Sequence, residues 1–143
     1  MVSTFGNKGT YVIEFDYDDL PGGQVITGGG QTANTSYGVI PSGAIPTEAY
    51  VQALTTTAGT VTWDIGLQGA DGSTELDYDG LFDGIGPTAV NAGATSSLDA
   101  GTESGNGLGA ELAQAAQVRV IEATGTGTGG RFKLTIDFVL PKA

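Results

Sequence analysis

The 143-residue chain has no cysteine and no histidine. Without cysteine there can be no disulfide, no thiolate nucleophile and no thiolate metal site. Without histidine the commonest general base and the usual imidazole metal ligand are gone as well. Any chemistry must come from carboxylates, hydroxyls and the five Lys and Arg residues. Those five cations stand against sixteen Asp and Glu, for a net charge of −11, and a field of that sign repels phosphate backbones and anionic lipid surfaces. Direct nucleic-acid or membrane partners are therefore not expected. No stretch approaches the ~18 apolar residues of a membrane span. The segment Met1-Val2-Ser3-Thr4-Phe5-Gly6-Asn7-Lys8 has neither the basic start nor the apolar run of a secretion signal, so synthesis in a cytosol is expected.

Glycine is abundant, at 25 residues. Each one in a helix interior costs about 1 kcal/mol relative to alanine, so glycines spread along the whole chain favour short strands joined by turns. Val, Ile, Leu and Phe together number 33. That share lies just above the ~20% below which chains stay disordered, and a chain of this length can close one core.

Alternation marks the strands. Tyr11, Ile13, Phe15 and Tyr17 share one face of a strand that Asp18-Asp19-Leu20-Pro21-Gly22-Gly23 ends, and Val25-Ile26 form a short apolar patch closed by Gly28-Gly29-Gly30. Tyr37 to Ile40 run into a turn at Ser42-Gly43, between Pro41 and Pro46. The next strand, Thr47 to Thr57, has mixed faces: Ala49, Val51, Ala53 and Thr55 on one, Tyr50, Gln52, Leu54 and Thr56 on the other. Ala58-Gly59 then leads to the cleanest pattern of all, Val61, Trp63, Ile65 and Leu67 alternating with Thr62, Asp64, Gly66 and Gln68. The two-residue joint predicts an antiparallel hairpin. Trp63, in phase with three aliphatic neighbours, reads as a core anchor.

From Ala70 to Gln114 the pattern weakens to small apolar islands at Leu76, Leu81-Phe82, Ile85, Val90 and Leu98, which predicts long loops and short strands. Gly109 to Gln117 holds enough helix formers for a short helical turn. The end reads as a second hairpin: Gln117 to Thr124, a glycine-rich tip from Gly125 to Gly130, and Arg131 to Leu140 with Phe132, Leu134, Ile136, Phe138 and Leu140 inward.

The densest acidic run lies between Asp71 and Gly84. There Asp77, Asp79 and Asp83 could offer Ca²⁺ oxygen ligands. The glycine after Asp79 is misplaced for a calcium loop and no glutamate falls twelfth from Asp77, so the run reads as a solvated turn. Two of these carboxylates could also serve a glycosidase as acid and base, but no aromatic-rich cleft accompanies them. The glycine-rich tip lacks the Lys-Ser or Lys-Thr of a phosphate loop and joins strands rather than opening a helix. No residue is assigned as catalytic, cofactor-binding or metal-ligating, and no cofactor is expected.

Seven or eight short strands with hardly any helix describe an all-β, antiparallel β-sandwich. A jelly-roll-like closure is expected, the first and last strands lying together in one sheet. Residues 1–10 read as an N-terminal arm and residues 11–143 as a single β-sandwich domain.

The run Val39-Ile40-Pro41-Ser42-Gly43-Ala44-Ile45-Pro46-Thr47-Glu48-Ala49-Tyr50-Val51, followed by a Trp-bearing strand and an Asp-Gly-rich middle, resembles small virion proteins of tailed bacteriophages. In those an Ile-Pro-x-Gly-Ala-type turn leads into a strand of a jelly-roll-like sandwich. The resemblance implies a capsid decoration or cement protein without catalytic residues. It further implies attachment to the major capsid protein on the surface of the virion, commonly as a homotrimer. A tail or fibre component stays open, as does a carbohydrate-binding adhesion module using Tyr37, Tyr50 and Tyr78.

Overall fold

A computed structural model describes residues 7–16, 25–27, 40–71, 74–96, 109, 111–125 and 127–140, with the backbone alone at 7, 25–27, 75, 77–79 and 121–123. Among these residues ten strands and one helix follow in the order β1 (Asn7–Asp16), β2 (Val25–Thr27), β3 (Ile45–Thr55), β4 (Ala58–Gly59), β5 (Thr62–Gly69), β6 (Glu75–Ile85), α1 (Pro87–Ala92), β7 (Ala94–Thr95), β8 (Ala116–Thr124), β9 (Gly127–Thr128) and β10 (Arg131–Leu140). They form two four-stranded sheets, β1-β10-β3-β7 and β2-β8-β5-β6, with a two-residue pairing of β4 with β9. Every pairing is antiparallel.

The alternating residues pack where the sequence puts them. Tyr11, Ile13 and Phe15 of β1, Val51 of β3, and Phe132, Leu134 and Ile136 of β10 are buried from the first sheet. Val61 and, on β5, Trp63, Ile65 and Leu67 are buried from the second, with Val118 and Val120 of β8. The sheets meet face to face: the Phe132 ring stacks on Phe15 at 5.2 Å and takes the edge of Trp63 at 5.4 Å. The fold is thus the expected antiparallel β-sandwich with one short helix, and the first and last long strands, β1 and β10, are neighbours over ten residue pairs.

Chain connections differ from the sequence reading in three places. β3 and β5 do not form a hairpin. β3 lies between β10 and β7, and β5 between β8 and β6, so the chain changes sheet there. The corner is held by Asn91 of α1, whose side chain accepts from the Thr57 N–H (3.0 Å) and donates to the Thr57 carbonyl (2.8 Å). β8 and β10 likewise belong to different sheets, and the supposed hairpin tip crosses between them, with Gly127–Thr128 bonded to Ala58–Gly59. A one-dimensional pattern of strand, glycines, strand fits a hairpin and a sheet-to-sheet crossing equally well.

The third difference is the middle of the chain. The described part of 109–117 forms no helix, and β8 begins at Ala116. The helix is instead α1, where Pro87 at the first turn, with its fixed φ and missing N–H, starts a helix well. Asp71 is in a turn, but from Glu75 onward the acidic run, with Asp77, Asp79 and Asp83, lies in β6, an eleven-residue strand at the edge of the second sheet.

Candidate interaction surface

Side chains with even numbers on β1 and, from Glu48 on, on β3, and odd numbers on β10 point away from the core and make the outer face of the first sheet. Register sets them in rows: Val12, Thr135 and Tyr50; Glu14, Lys133 and Gln52; Thr10, Asp137 and Glu48. At the β3 end, Pro46 cannot donate to the ladder, and the register shifts between Asp137 and Phe138 so that Thr47 is an extra residue. The Thr47 hydroxyl donates to the Asp137 carbonyl (3.2 Å).

Two shallow depressions lie on this face. One, of about 240 Å³, is lined by Tyr50, Gln52, Leu54, Lys133 and Thr135. The other, of about 490 Å³, is lined by Lys8, Gly9, Thr10, Thr47, Asp137, Phe138 and Val139. Gly9 is required there because the Phe138 ring from the paired strand lies across it, where a Cβ would sit. Tyr50 (37% exposed) and Leu54 (47%) are the exposed large hydrophobic side chains among the described residues. Tyr50 is no free platform, however. Its hydroxyl donates to Gln52 Oε1 (3.2 Å), and the same end of the ring closes over Gly93 at the end of α1.

The charges on this face are unevenly satisfied. Arg131 binds Asp16 (3.0 Å) and lies 3.7 Å from Glu14, while Lys8 and Lys133 are exposed and take part in no ion pair among the described residues.

The gap between Phe15, Val51, Trp63, Ile65, Val90, Val120 and Phe132 is about 10 Å³, at the lower limit for a single water. The Tyr11 hydroxyl, which does not line that gap, is buried without a hydrogen-bond partner among the described residues, and desolvation pushes its pKa up to about 12.

Asp83 is exposed on β6, and Asp77 pairs by its backbone with Leu67, Asp79 following two residues on. Among the described residues no group of three or more carboxylates is arranged to hold a metal ion. Tyr78 lies on β6 on the opposite sheet from Tyr50, and Tyr37 falls outside the described residues. No helix among the described residues is long and apolar enough to cross a membrane. Sequence reading passed over Leu54 and Lys133. The signal was present in the alternation of β10, which turns Lys133 outward, and in the register that puts it beside β3.

No protein-family model matches the chain, and no curated protein does. Solved structures do. A chain in the capsid asymmetric unit of cyanophage Pam1 is similar with a TM-score of 0.60 and 16% identity, over 99% of this chain and 90% of that one. A chain in the acid-stable capsid of the Helicobacter pylori bacteriophage KHP30 gives 0.59 and 14%, over 96% and 91%. A chain in the capsid of Ralstonia phage GP4 gives 0.56 and 21%, over 100% and 91%. The fold is therefore one found in chains of bacteriophage capsids, shared almost end to end.

Proposed function

We propose that the protein is a structural, non-enzymatic component of a tailed-phage virion that decorates an assembled capsid and stabilises it. The observation that carries this reading is the near-complete overlap with chains of three phage capsids. Matched chains covered to about nine-tenths are of similar size, so the likeness is to a whole chain and not to one lobe of a larger protein. We read the strand order, with β1 beside β10 in one sheet and β2 beside β8 in the other, as a jelly roll, two interlocked Greek keys.

Charge favours the outside of the particle. A chain of net charge −11 facing packaged DNA would meet strong repulsion, whereas on the outer surface the same charge aids solubility. The partner in this reading is the major capsid protein, and the bound form is a homotrimer.

The test is addition of the purified chain to capsids assembled without it. Co-sedimentation and a raised temperature of capsid rupture are expected. Capsids that neither bind the chain nor weaken in its absence would overturn the reading, and labelling at the tail would replace it with the tail or fibre alternative.

A further inference from the structure

We infer that the outer face of the first sheet is a self-association surface that receives the acidic β6 segment of a second copy of the chain. The inference concerns the free chain and does not rest on capsid binding.

The charges are strongly segregated. Between Lys8 and Arg119 there is no Lys or Arg at all, while fourteen Asp and Glu fall in that interval. Of the four cations among the described residues, Lys8, Arg131 and Lys133 lie on the outer face of the first sheet. With Glu14, Asp16, Glu48 and Asp137 beside them, that face carries three positive charges against four negative and is close to neutral on a molecule of −11. A second acidic copy approaches there against the least repulsion. Lys8 and Lys133, in no ion pair among the described residues, each line a depression, and the exposed Tyr50 and Leu54 border the one at Lys133. Apolar contact for affinity and charge for orientation are therefore together on one surface.

The complementary feature is β6. It carries Glu75, Asp77, Asp79 and Asp83 with no cation among them, and it forms the edge of the other sheet. Because the receiving face and the acidic edge are different parts of the molecule, the contact is heterologous, and repeated head to tail it gives a ring or an open string, not a two-fold dimer.

Sedimentation velocity on the purified full-length chain reads this directly. The wild-type chain should associate beyond two copies. Lys8→Glu/Lys133→Glu should weaken association at least ~10-fold, as expected for the loss of close charge pairs. Asp79→Lys/Asp83→Lys should do the same. The second variant decides against general repulsion: it reduces the net negative charge, so repulsion alone predicts tighter association. An equimolar mixture of the two variants should associate where neither does alone, pairing the intact face of the second variant with the intact β6 of the first, and the reversed surfaces, Glu of one variant and Lys of the other, with each other. A wild-type chain that stays monomeric to ~1 mM, an acid-to-lysine variant that associates as well as wild type, or a mixture without pairs each overturns the inference. Should either double variant fail to fold, Lys133→Gln and Asp83→Lys, both at exposed positions, replace them with the same expected direction. Capsid binding is scored separately, so loss of one does not imply loss of the other.

Discussion

Tyr11 stands in the interior with its hydroxyl unpaired among the described residues, a cost that a larger hydrophobic gain around the ring must offset. Its pKa, raised to about 12 by burial, means that folding holds the proton more tightly than the unfolded chain, where the value is near 10. The associated stability is complete below pH ~10 and is lost as pH rises through about 12, roughly 2–3 kcal/mol in all. Tyr11→Phe should therefore raise stability at pH 7 by ~1 kcal/mol, and urea melts from pH 9 to 12 should show a shallower alkaline decline than wild type. Trp63, wedged edge-on against Phe132 between the sheets, is the opposite case. Trp63→Ala should cost about 3–5 kcal/mol, by transfer and by the cavity left behind, and differential scanning calorimetry would read it. Gly93 has φ of 87° and lies under the Tyr50 hydroxyl. Gly93→Ala should lose ~1–3 kcal/mol from backbone strain and displacement of that ring, measured by the same melts, whereas Ala92→Gly, one residue earlier, should cost less.

Among the elements, the segment from Gly125 to Gly130 separates a hairpin from a crossing. Replacing those six residues by Asn-Gly would tighten a true hairpin. Here β8 and β10 lie in different sheets, so the shortened chain should fail to fold, seen as loss of the near-ultraviolet signal of Trp63. Legibility follows the same division. β1, β5 and β10 were plain in the sequence because large apolar residues line one face of each while the other, Val12 and Val139 apart, is mostly polar, which fixes their period. β3 was harder, since Ala49 and Ala53 are too small to outvote Tyr50 and Leu54, yet the small residues go in and the large ones stay out. β6 was not legible as a strand because its ladder is irregular. Ile65 pairs with Phe82 and Leu67 with Asp77, so two residues of β5 span five of β6, and adjacent Leu81 and Phe82 are both buried. At its other end Gly84, with φ of 70°, donates its N–H to Asp64 Oδ1 (2.9 Å), another break in the alternation. The interaction surface was still less visible, because it depends on which strands are neighbours, and alternation says only which side of its own strand a residue takes.

For the molecule as a whole, the charge of −11 acts against compactness. Raising NaCl from ~10 mM to ~150 mM shortens the Debye length from roughly 30 to 8 Å, and the Tm should rise by about 2–4 °C for ~1 kcal/mol of relieved repulsion. A Tm unchanged over that range would show that the charges are too widely spaced to matter. Pairing of β1 with β10 also makes assembly of the first sheet wait for the largest loop in the chain to close, so folding in milliseconds to seconds is expected. The same pairing fixes how the protein bears load. Asn7 is opposite Leu140 and Asp16 opposite Arg131, so the outer ends of both strands leave the sheet at one corner. Tension applied between those two ends would part the ladder rung by rung, as a zip opens, rather than shear ten pairs at once. The sandwich is mechanically weakest when pulled by its own strand ends, and a tether that has to resist force does better to grip it by a sheet face.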